Sequence, residues 1–81
     1  MIYPVQIRAA RVLLQMGQQE LADLSTVGLA TIKRIEAAGC DLTGTVRTVS
    51  KIKRALEHSG IIFIDQDGSN GPGVRLRKPL P

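Results

Sequence analysis

Lys33 and Arg34 are adjacent in a segment where Leu29, Ile32 and Ile35 recur at helical spacing. At about 100° per residue, turning Ile32 inward brings Leu29 and Ile35 within about 60° of it. Ala30, Lys33, Arg34 and Ala37 then share the opposite arc. The planar fork of arginine pairs bidentately with guanine O6 and N7, while lysine can meet guanine or a phosphate. The alanines allow close approach, and their methyl groups can meet thymine methyls. On an isolated helix, a solvated face is the plainer reading of such a pair.

Other chemistries lack their components. One histidine, His58, and one cysteine, Cys40, cannot supply the three or four ligands of a metal site. No base stands beside a serine or the cysteine for nucleophilic catalysis. Gly68, Gly71 and Gly73 resemble a phosphate loop only superficially, because no helical pattern follows them. The sequence therefore predicts neither an enzyme nor a cofactor.

Eleven Lys and Arg against seven Asp and Glu give a formal net charge of +4 over 81 residues, a balance that favours polyanionic partners. Apolar residues make up 43%, as in a folded domain, and Tyr3 and Phe63 are the two aromatics. With one cysteine there is no internal disulfide, so a reducing compartment is expected. No run reaches the ~18 apolar residues of a membrane span. With no export signal at the amino end either, the expected location is cytoplasmic, and no membrane partner is expected.

The elements that must position Lys33 and Arg34 follow from periodicity. Pro4 suits a first helical position, and Ile7, Ala10 and Leu14 mark a helix over about 4–15. After Gly17, residues 18–24 form two turns, with Leu21 and Leu24 inward and Gln19, Glu20 and Asp23 outward. A short break at 25–28 leads to a helix over 29–37, ended by Gly39 in a left-handed cap. Thr43 or Thr45 can cap a fourth helix over 45–59, apolar at Val46, Val49, Ile52 and Leu56. Beyond Gly60 the period changes: Ile61 to Ile64 reads as a strand, 65–73 as a loop and 74–77 as a second strand.

Two short helices joined by a tight turn need a small residue where they cross, and Ala22 supplies it. Gln-Gln-Glu-Leu-Ala-Asp (18–23) and Ala-Thr-Ile-Lys-Arg-Ile-Glu-Ala (30–37) resemble the Cro/repressor (XRE-type) helix-turn-helix DNA-binding family. The resemblance covers about residues 5–58. It implies a mainly α, four-helix lambda-repressor-like helix-turn-helix domain at 1–60, with the motif at 18–37. Residues 61–81 add a C-terminal β-hairpin and tail. The chain departs from the family at Thr26, where the turn usually has glycine, and at Gly28, where a Ser or Thr cap is usual. It departs again at Leu29, where a polar base reader is usual.

Within that frame Leu29, Ala30, Lys33, Arg34 and Ala37 are the expected base-reading residues. Gln18 and Gln19 lie at a helix amino end, which favours anions, and the family's glutamine there contacts a phosphate. Thr31, Thr43 and Arg47 are further expected phosphate contacts. Residues 33–54 hold six cations against two anions, concentrating positive charge on this side. The resemblance also implies a structural ion pair between Arg11 and Glu36.

The strand at 61–64 is apolar on both faces, more than one small monomer covers, and a lone hairpin has open edges. Ile62, Phe63, Ile64, Val74 and Leu76 are therefore expected to form a homodimer surface. The alternative is a hairpin tucked against its own helices. The expected function is a dimeric transcriptional regulator, a repressor or autoregulator of bacterial or phage type, reading a near-palindromic double-stranded DNA operator. The competing expectation is a protein-interaction module, an antitoxin or antiactivator, whose partner docks on the apolar hairpin.

Overall fold

A computed structural model describes residues 2–40 and 44–81. Among them lie four helices, α1 (Pro4–Leu13), α2 (Gln18–Ser25), α3 (Leu29–Ala37) and α4 (Val46–His58). Two strands follow, β1 (Ile61–Ile64) and β2 (Gly73–Leu76), paired antiparallel with Ile61 opposite Leu76 and Ile64 opposite Gly73. The result is a small, mainly helical domain with one hairpin. No helix among the described residues is long and apolar enough to cross a membrane.

The core is aliphatic. Ile7, Leu21, Ile32, Ile35, Ile52, Leu56 and Ile61 are fully buried, drawn from every helix and from β1. Each fully buried side chain of this kind contributes about 1.5–3 kcal/mol relative to exposure. Ala22 is buried, as its place between two short helices requires.

Helix α1 begins at Pro4, whose missing N–H is an orphan there in any case. The Tyr3 amide donates to Gln6 Oε1 at 2.8 Å. From the other end of the same side chain, Nε2 donates to the carbonyls of Gly73 at 3.0 Å and Ile64 at 3.3 Å. One buried glutamine thus caps α1 and fastens the mouth of the hairpin to it. The helix stops earlier than the expected residue 15. Gln15 takes a left-handed φ of 54°, and Met16 N–H returns to the Arg11 carbonyl at 2.9 Å. This Schellman closure turns Met16 into the core.

Leu24 corrects a second expectation. Its spacing from Leu21 predicts an inward side chain, yet it is 54% exposed. In this two-turn helix the inward slots belong to Leu21, Ala22 and Ser25, and the Ser25 hydroxyl donates to the Leu21 carbonyl at 2.7 Å. Leu24 is left on the rim.

Thr26 closes α2 in the left-handed region, at φ 57° and ψ 33°. Gly28 then begins α3 with no side-chain cap. Beyond α3, Gly39 has a φ of +66°, the left-handed cap expected of it. The Thr45 hydroxyl caps α4, accepting from the Thr48 amide at 3.1 Å. Helix α4 starts and ends one residue inside its expected bounds, and β2 begins one residue before its own.

Candidate nucleic-acid interface

Helix α3 has one buried and one open side. Ile32, Ile35 and Glu36 are buried, whereas Ala30, Lys33, Arg34 and Ala37 are all exposed. The helix is held on two sides. Its amino end follows directly from α2 through the turn at Thr26, where Val27 N–H donates to the Ala22 carbonyl at 3.2 Å. Its carboxyl end is tied to α1, because Val5 N–H donates to the Gly39 carbonyl at 2.9 Å.

Glu36 forms the main electrostatic link between α3 and α1. Arg11 Nε and Nη2 each donate to one of its oxygens at 2.9 Å, a fork-on-fork pair, and Nη1 donates to the Met16 carbonyl at 3.0 Å. The hydrogen bond to Glu36 raises the Arg11 pKa above its ordinary value; partial burial opposes this and the carboxylate's charge adds to it. The ion pair implied by the family resemblance is therefore present in the fold. Among the described residues it is also the one ion pair, so Lys33, Arg34 and Arg47 carry no carboxylate partner there.

The other expected contacts separate into groups. Arg47 is exposed in the first turn of α4. Thr31 is half-buried, and Thr43 lies outside the described residues. The amide of Gln18 is engaged inside the protein, its Nε2 donating to Glu36 Oε1 at 3.2 Å. Gln19 is exposed but donates along its own helix to Asp23 Oδ1 at 2.9 Å. Leu29 is half-buried and packs against the core, so only part of it is free to meet a base.

The hairpin residues divide by face. Phe63, Val74 and Leu76 pack against the chain's own core, beside the buried Ile61. Ile62 and Ile64 point outward, 39% and 43% exposed, with Arg75 opposite Ile62. Tucking against the helices thus accounts for three of the five expected dimer residues and leaves two uncovered. Alternation along β1 carried this division in the sequence, because Ile61 and Phe63 share one face.

Two further features lie outside the expected residues. Gln6 carried a signal, since a glutamine three residues into a helix is placed to reach back to the cap. The other is a shallow hollow of about 390 Å³ along the flank of α3, lined by Arg8, Arg11, Gln18, Lys33, Glu36 and Ala37. No protein-family model and no curated protein matches the chain.

Proposed function

We propose that the chain is a sequence-specific double-stranded DNA-binding transcriptional regulator, a helix-turn-helix protein that acts as a homodimer with α3 as its reading helix. One observation carries this reading: Ala30, Lys33, Arg34 and Ala37 lie exposed together while the opposite side of α3 is locked into the core. Two small residues and two cations on a rigid helix suit a major groove. Arg34 is the guanine reader, Ala30 and Ala37 admit the bases, and Arg47 contacts the backbone.

In the proposed homodimer the two reading helices enter successive major grooves, about 34–36 Å apart. Ile62 and Ile64 supply the uncovered apolar pair for the contact between copies. The same pair favours, as a second reading, a protein-interaction module docking another protein on the hairpin.

Selection of the full chain against random duplex DNA tests the first reading. Enrichment of a near-palindromic motif is expected, with binding that weakens steeply as salt rises. A selection that enriches no motif sinks it.

A further inference from the structure

The hollow beside α3 has an electrostatic character that the reading face alone does not explain. Helix α1 is tied to the carboxyl end of α3 at two points, with Val5 bonded to Gly39 and, six residues further along α1, Arg11 bonded to Glu36. Arg8 lies between these two ties and lines the hollow with Ala37 and Lys33. Its lining holds three cations, Arg8, Arg11 and Lys33, against the single carboxylate of Glu36, a net charge of +2. That carboxylate is already engaged by the Arg11 fork and the Gln18 amide. Arg8 and Lys33 are both exposed, and neither forms an ion pair among the described residues. Between them they offer up to eight N–H donors to an incoming oxyanion.

We infer that this hollow is a phosphate site in which Arg8 and Lys33 together hold one backbone phosphodiester of the bound duplex. The inference rests on the DNA-binding reading and divides labour within it. Lys33 leans to the flank and grips the backbone, while Arg34, which does not line the hollow, reads the base. Gln18 shares the Glu36 carboxylate with the Arg11 fork, so that carboxylate's charge is met from within the protein.

The test uses the full chain with Arg8→Gln, Lys33→Gln and the double variant. Two duplexes serve as probes, one recovered by selection and one of unrelated sequence. Both side chains are exposed, so melting temperatures are expected to match the parent. Removing one phosphate contact is expected to weaken binding to both duplexes alike, about eightfold near 0.1 M salt. The double variant should lower the slope of log K against log salt by about 0.9, as for a single phosphate.

Unchanged affinity in Arg8→Gln, or a base preference altered at one position in Lys33→Gln, overturns the inference. So does a slope change near 1.8, which would mean two separate phosphates. Inorganic phosphate titrated by NMR distinguishes a free ion from the duplex backbone. Saturation at micromolar phosphate assigns the hollow to a free oxyanion and overturns it, whereas weak millimolar shifts at Arg8 and Lys33 support it. If the parent binds the unrelated duplex but enriches no motif, the regulator reading fails and the phosphate site stands. If it binds neither duplex, both fail.

Discussion

Glu36 and Arg34 are two residues apart on α3 and have opposite fates. The side chain of Glu36 is 5% exposed and accepts from Arg11 and Gln18, so removing it strands a guanidinium that is itself only 18% exposed. Glu36→Ala is expected to cost about 3 kcal/mol in urea unfolding, because an uncompensated charge remains in a largely buried place. Any loss of DNA binding in that variant will follow its loss of fold. Thr26 offers a gain. A β-branched residue in the left-handed region costs on the order of 1 kcal/mol, and the bond from its hydroxyl to the Ser25 carbonyl does not remove that strain. Thr26→Gly should raise the melting temperature by roughly 4–8 °C, measured by thermal unfolding, and a fall would contradict the strain.

At the scale of elements, α3 was legible in the sequence to the residue. Gly28 and Gly39 bracket it, and its apolar positions keep a strict helical period. Helix α2 was less legible because two turns offer too few positions for periodicity to rank them. Leu21, Leu24 and Ser25 all lie near the inward side, and tertiary packing chose Ser25 over Leu24. The early stop of α1 was hidden because Gln15, unlike a glycine, gives no sign of a left-handed turn. The commitment of Gln18 to Glu36 could not be read either, since it depends on two helices meeting. Gln6 joins the cap of α1 to the hairpin across almost the whole chain. Gln6→Leu would leave the carbonyls of Ile64 and Gly73 without that donor, at an expected cost of about 1–3 kcal/mol in urea unfolding. Amide exchange in β1 and β2 should speed up more than in α3; equal protection would mean that the staple is idle.

For the whole molecule, the hairpin settles against α1 and α4 and still presents Ile62 and Ile64 outward. A chain of this length buries only roughly 60–65% of its unfolded surface, so in the proposed homodimer a second copy would add core that one copy lacks. Ile64→Lys is expected to shift the sedimentation mass from dimer to monomer while the single chain stays folded. A parent mass already monomeric at micromolar concentration would remove the dimer from the account. Losing the dimer would not move the exposed face of α3, whose buried side is held in the chain's own core.

The proposed function turns on whether α3 touches base edges through Arg34. Its direct test is Arg34→Ala on the selected operator, with each base pair of one half-site replaced in turn and affinity measured for parent and variant. The variant is expected to lose about 1–3 kcal/mol and to become indifferent at one guanine position, keeping its preferences elsewhere. A variant that binds as tightly as the parent, with every base preference intact, would contradict it.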